Sequence, residues 1–100
     1  MIQSHLNQDN QELTISIGER FDYSVHKAFR DAYREITTPK THIAINLSST
    51  RYIDSSALGM LLLAKEHAEG INGKVTLVRP SETAFKILKL ANFDQLFTVT

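Results

Sequence analysis

Asp54, Ser55 and Ser56 are the side chains of this 100-residue chain whose types and spacing most invite a chemical role. They stand where a short apolar run ending in Tyr52-Ile53 gives way to Ala57-Leu58-Gly59-Met60-Leu61-Leu62-Leu63. Beyond them Leu58, Leu61, Leu62 and Ala68 recur at the spacing of a half-buried helix. Asp and Ser side chains accept hydrogen bonds from the free N–H groups of a first helical turn, so each of the three is a candidate N-cap. Those N–H groups and the helix dipole also favour a phosphate. A serine hydroxyl on such a turn is a phosphorylation candidate, and the modification would set about −1.5 to −2 charges beside the Asp54 carboxylate. Local chemistry alone favours plain capping, so the elements that position the turn have to be read as well.

Met1 to Leu6 reads as a short strand, and Glu12 to Gly18 as a clearer one, because Leu13, Ile15 and Ile17 alternate with Glu12, Thr14 and Ser16. The turn formers Asn7-Gln8-Asp9-Asn10 between them predict a hairpin. Asp22 or Ser24 can cap the next helix, whose apolar face is Val25, Ala28, Phe29, Ala32, Tyr33 and Ile36 and whose outer face carries Lys27, Arg30, Asp31, Arg34 and Glu35. Pro39 ends that pattern.

His42 to Leu47 is expected to be a central strand, with Ile43, Ile45 and Leu47 on one face and little more than Ala44 on the other, as in a strand inside a layered sheet. Ser48 to Arg51 is a loop. A helix from about Ser56 to Glu69 follows the Asp54 turn, and Gly70-Ile71-Asn72-Gly73 provides its cap and exit. Lys74 to Arg79 is a strand stopped by Pro80. Ser81 caps a last helix bearing Ala84, Phe85, Ile87, Leu88 and Ala91, and Gln95 to Val99 returns as a final strand.

The order β-β-α-β-α-β-α-β predicts an α/β fold: a single domain over residues 1–100, with a mainly parallel sheet that opens on an antiparallel hairpin. Ligands of such open sheets meet the carboxyl ends of the strands, where Asp54 and Ser55 fall.

Composition narrows the function. Eleven basic and eleven acidic residues cancel, which removes an electrostatic case for nucleic acid or an anionic membrane. No cysteine is present, so disulfides, thiolate metal sites and cysteine nucleophiles are excluded. No run approaches the roughly 18 apolar residues of a membrane span and no signal-peptide pattern opens the chain, so a cytoplasmic protein is expected. Catalysis lacks its usual signatures: there is no G-x-S-x-G elbow, no His-Glu-x-x-His pattern and no phosphate-binding loop, and His5, His26, His42 and His67 are not placed near Ser55 by sequence. A receiver domain would need an acidic pair after an early strand to hold magnesium, and only Glu19 follows Ile17 there. No metal, cofactor or enzymatic activity is expected.

The succession of elements, the corner Gly18-Glu19-Arg20-Phe21-Asp22, the strand Ile43 to Leu47 and above all Ile53-Asp54-Ser55-Ser56-Ala57-Leu58-Gly59 resemble the STAS domain of bacterial anti-sigma factor antagonists. The resemblance covers nearly the whole chain. It implies that the serine after the aspartate, Ser55, is phosphorylated by a partner serine/threonine kinase that acts as an anti-sigma-type regulator, with Ser56 as the secondary candidate. A metal-dependent serine phosphatase would reverse the step. The partner-binding surface it implies comprises Asp22, Asp54, Ser55, Ser56, Ala57 and Gly59.

Two positions depart from the family pattern. Ala57 stands where many members have glycine, and it is tolerated if φ is negative there. The first corner is longer than the common Gly-x-x-Asp. A second reading of the resemblance is a non-phosphorylated interaction subunit of a transporter ATPase. A monomer is the default, although an exposed first strand is able to pair with another chain.

Overall fold

The computed structural model describes all of residues 1–100. Strands β1 (Ile2–Asn7) and β2 (Glu12–Ile17) form the expected hairpin and are followed by β3 (Arg20–Phe21), a 3-10 turn (Tyr23–Val25) and α1 (His26–Tyr33). Then come β4 (His42–Asn46), β5 (Tyr52–Ile53), α2 (Ser55–Gly70), β6 (Lys74–Val78), α3 (Glu82–Leu90), a second 3-10 turn (Phe93–Gln95) and β7 (Thr98–Val99). The main sheet runs β1-β2-β4-β6-β7, antiparallel between β1 and β2 and parallel elsewhere. A separate parallel ribbon pairs β3 with β5.

The core follows from the alternation. Leu13 and Ile15 lie opposite Ile43 and Ile45, which lie opposite Val75 and Leu77, so one face of the sheet is a continuous apolar layer. Phe29 and Tyr33 of α1, Leu61 and Ala64 of α2, and Ala84 and Leu88 of α3 join it in a single buried cluster. The other face is polar and open. His42 bridges strands there, its Nε2 2.6 Å from the Thr76 hydroxyl and its Nδ1 3.2 Å from the Glu12 carboxylate. The expectation that β4 is layered on both sides is therefore corrected: Ala44 is buried because it is small and sits between Thr14 and Thr76 of the flanking strands.

Boundaries differ where local chemistry competes. Helix α1 stops at Tyr33 rather than reaching Ile36, ahead of the Thr37-to-Lys40 segment in which Pro39 disfavours helix for its predecessor. It also starts late, because Asp22 caps the 3-10 turn instead, accepting from the Ser24 amide at 3.0 Å and the Ser24 hydroxyl at 2.5 Å. Helix α2 begins at Ser55 and extends through Gly70. The left-handed residue after it is Asn72 (φ 60°), not one of the flanking glycines. The return strand shrinks to Thr98–Val99 because Asn92, at φ 61°, turns the chain into a 3-10 segment whose Phe93 is buried with Phe97. No helix is long and apolar enough to cross a membrane.

Candidate functional site

Asp54 is the N-cap of α2, and its geometry separates the two serines. Its Oδ1 accepts from the Ala57 amide at 2.9 Å and from the Ser56 hydroxyl at 2.7 Å. Ser56 is thus tied to the cap and partly buried, whereas the Ser55 hydroxyl makes no hydrogen bond within the chain and its residue is exposed. The amides of Ser55 and Ser56 precede the first residue able to close an intrahelical bond, and Leu58 makes that bond to the Asp54 carbonyl at 3.3 Å. Ser55 therefore presents a free hydroxyl at the positive end of a 16-residue helix.

The β3–β5 ribbon brings a second acid to the same place. Phe21 lies opposite Ile53, the Phe21 carbonyl accepts from the Asp54 amide at 3.3 Å, and Asp22 and Asp54 follow as the next residues of the two strands. The Ser56 hydroxyl and then the Ala57 amide hold the Asp54 carboxyl below the usual carboxylate range, opposed by partial burial and by the Asp22 charge. Asp22 is likewise lowered, first by the Ser24 hydroxyl and, more weakly, by the Ser24 amide and Arg20.

Because the folded Asp54 carboxyl gives up its proton more readily than the unfolded one, its contribution to stability is complete above the ordinary value of 3.8. That contribution is lost as pH falls through the lower folded value. Asp54→Ala is expected to cost about 1 kcal/mol at pH 7 through loss of the cap. Urea unfolding of both proteins at neutral pH and again well below pH 3.8 should show the difference shrinking in acid.

Of the residues singled out in the sequence, Asp22, Asp54, Ser55, Ser56 and Gly59 reach this surface. Ala57 does not. At 0% exposure it lies beneath the turn, because the third helical residue is rotated into the core, and it is barred from direct contact with a partner. Its φ is not positive, so alanine fits there without backbone strain.

Residues that the motif did not reveal complete the surface. Tyr52, the first residue of β5, and Tyr23, in the 3-10 turn after β3, are exposed; the Arg20 guanidinium lies 4.5 Å above the Tyr52 ring, and Tyr23 stacks on His26 at 4.0 Å. Leu62 and Leu63 are exposed along α2, beyond Gly59. A signal for the last pair lay in the run Leu61-Leu62-Leu63, since three consecutive leucines cannot all face one core. No histidine nitrogen is bonded to Ser55: His26 contacts the Tyr23 carbonyl, His67 the Ile36 carbonyl, and His42 is occupied on the open sheet face. No three His, Asp or Glu side chains gather as metal ligands.

A mixed sheet bearing three helices on one face, with an acid-capped serine turn at the start of the second helix, defines a small α/β domain. The family model described as Mlab, STAS domain, matches residues 4–99, and the chain belongs to the STAS-domain family. A STAS-domain containing protein of Pseudomonas aeruginosa (strain UCBPP-PA14) is 46% identical over 92 residues, which span 92% of this chain and 91% of that protein. Among solved structures, the anti-sigma factor antagonist SpoIIAA in its unphosphorylated form superposes with a TM-score of 0.80 at 19% identity, covering 100% of this chain and 88% of that one. SpoIIAA in its phosphorylated form, described as a Bacillus cell fate determinant, gives a TM-score of 0.68 at 18% identity over 100% and 91% of the two chains. The likeness to SpoIIAA is one of fold.

Proposed function

We propose that this protein is a phosphorylation-controlled binding switch. Unphosphorylated, it holds a serine kinase of the anti-sigma-regulator type; phosphorylated on Ser55, it releases it, and a metal-dependent phosphatase resets it. One observation carries this reading: of the two adjacent serines, only Ser55 has an exposed hydroxyl free of internal hydrogen bonds. A phosphate there meets unpaired amides and a helix dipole, so the fold accommodates it. It also lies beside Asp54 and Asp22, so the local surface becomes strongly anionic, repels an acidic partner surface and incurs a desolvation cost against an apolar one.

Gly59 supports the same surface. A glycine inside a helix costs stability, its φ is not positive, and a Cβ built on it would meet no atom within 4 Å. Nothing in the fold asks for glycine there. A partner crossing α2 close to its backbone, between Ser55 and the exposed Leu62 and Leu63, does. Gly59→Ala should therefore raise stability by about 0.5–1 kcal/mol while weakening partner binding. Thermal unfolding and affinity measured on the same variant check the two opposite signs. A gain in stability with undiminished binding would remove Gly59 from the interface.

The reading as a whole is tested by intact-mass analysis of the protein from its native cells with phosphatases inhibited, followed by fragment mapping. A phosphate on Ser55 that is lost in Ser55→Ala supports the switch. A chain that stays unmodified favours instead an unregulated interaction subunit that works with an ATPase.

A further inference from the structure

Strand β1 is one edge of the sheet, and β2 is its only neighbour. Its outer side offers backbone donors and acceptors with no strand beside them, an arrangement that soluble proteins ordinarily blunt with lysine, proline, a bulge or a very short strand. The opposite edge is blunted in the last way, since β7 has two residues. None of these devices protects β1. It runs for six residues, Ile2-Gln3-Ser4-His5-Leu6-Asn7, in unbroken register with β2, and it contains no proline, lysine, arginine or carboxylate.

The strand is also complementary to itself. Ile2, Ser4 and Leu6 lie opposite Ile17, Ile15 and Leu13 and so share the helix-bearing face, while Gln3, His5 and Asn7 share the polar face. When two antiparallel copies meet about a two-fold axis normal to the sheet, opposed residues must come from the same face. With the axis at Ser4, Ile2 of each copy meets Leu6 of the other, Gln3 meets His5, and the small Ser4 meets itself. Shifting the axis to Gln3 or His5 sets Ile2 or Leu6 against serine. Leu6 is already 39% exposed, so pairing it with Ile2 of the second copy would cover apolar surface that the single chain leaves open. The chain carries no net charge, so two copies do not repel one another.

We propose that β1 is the seam of a homodimer, pairing antiparallel with β1 of a second copy about Ser4 to make one continuous ten-stranded sheet. The seam uses no residue of the Asp54 turn, so it stands or falls independently of the phosphorylation reading.

The absence of cysteine gives a clean test. Directly opposed Cα atoms in an antiparallel pair are about 4.5–5.5 Å apart, within disulfide range. Ser4→Cys in the full chain is therefore expected to form a covalent dimer rapidly under mild oxidation. Asn7→Cys, whose two copies lie six positions apart along the seam, is not. Sedimentation equilibrium should give the mass of two chains for the native protein. Ser4→Lys, which sets two ammonium groups face to face, should weaken association about fivefold or more with an unchanged circular dichroism spectrum. A native mass of one chain at the highest soluble concentration, or Ser4→Cys cross-linking no faster than Asn7→Cys, would overturn the seam.

Discussion

Under the proposed switch, Ser56→Ala protein incubated with the kinase and ATP is expected to take up phosphate while Ser55→Ala takes up none. The two residues are adjacent and chemically identical, so the contrast rests on geometry alone. The Ser56 hydroxyl donates to Asp54 Oδ1 at 2.7 Å, and to react it would have to leave that bond and expose a residue now partly covered. The Ser55 hydroxyl has neither obstacle. Ser56→Ala also takes one hydrogen bond from the Asp54 carboxyl, and that bond is the main cause of its lowered pKa. The variant should therefore titrate Asp54 at a higher pH, a change measurable by carbon NMR of the carboxyl, without losing modification. Ser55→Asp, tested for binding to the same kinase, should lose about tenfold or more in affinity, equivalent to ~1.4 kcal/mol. Phosphate itself should have a larger effect because it carries nearly twice the charge. If Ser56→Ala alone abolishes modification, the assignment of Ser55 is wrong.

Gly73→Ala should be the most damaging small substitution in the chain for stability, at about 2–4 kcal/mol, or enough to shift the unfolding midpoint by roughly 10 °C or more. A Cβ on Gly73 would lie 2.0 Å from the Thr41 carbonyl oxygen, and backbone cannot withdraw as a flexible side chain would. Movement on either side is constrained. The Gly73 amide donates to the Ala68 carbonyl at 2.7 Å to close the end of α2, and the next residues, His42 and Lys74, are opposed in the β4–β6 pair. The contrast with Gly59→Ala is instructive, because the same change at the other glycine meets open space and should stabilise. Thermal unfolding of the two variants side by side checks both the signs and the sizes. A Gly73→Ala protein as stable as the native one would show that the chain shifts to admit the Cβ and that the close approach to Thr41 does not govern this position.

Much of the architecture was legible because burial writes a periodic record. The alternation Leu13, Ile15, Ile17 is that of a sheet with one covered face, and the 3.6-residue spacing of Phe29, Tyr33 and their neighbours located α1. Capping was legible at Ser81, since it depends on one side chain and the next three amides, whereas at the head of α2 the sequence offered Asp54, Ser55 and Ser56 alike and the structure selects Asp54. Short or locally contested features were not. The β3–β5 ribbon has two residues per strand, too few for any period, and it exists only because residues 20–21 and 52–53 are brought together from distant parts of the chain. The end of α1 ahead of Pro39, the left-handed Asn92 before the last strand and the Asp22-capped 3-10 turn at Tyr23 are single-residue features that leave no periodic signal.

The sequence by itself determined the order of the elements, the mainly parallel sheet with its leading hairpin, and the Asp-Ser-Ser turn at the head of a helix. The elements and the turn arise from residues near one another along the chain, and the direction of the sheet follows from the strand-helix-strand order through right-handed crossovers. Only the tertiary structure decided which parts of that turn face outward. It placed Ala57 in the core, tied Ser56 to Asp54, left Ser55 free, and carried Asp22 and Tyr23 to the same surface as Tyr52 from a distant part of the chain. The reason is rotational. Consecutive helical residues differ by about 100° around the axis, so the motif names four neighbours without saying which one points to solvent, and packing of α2 against the sheet fixes that angle.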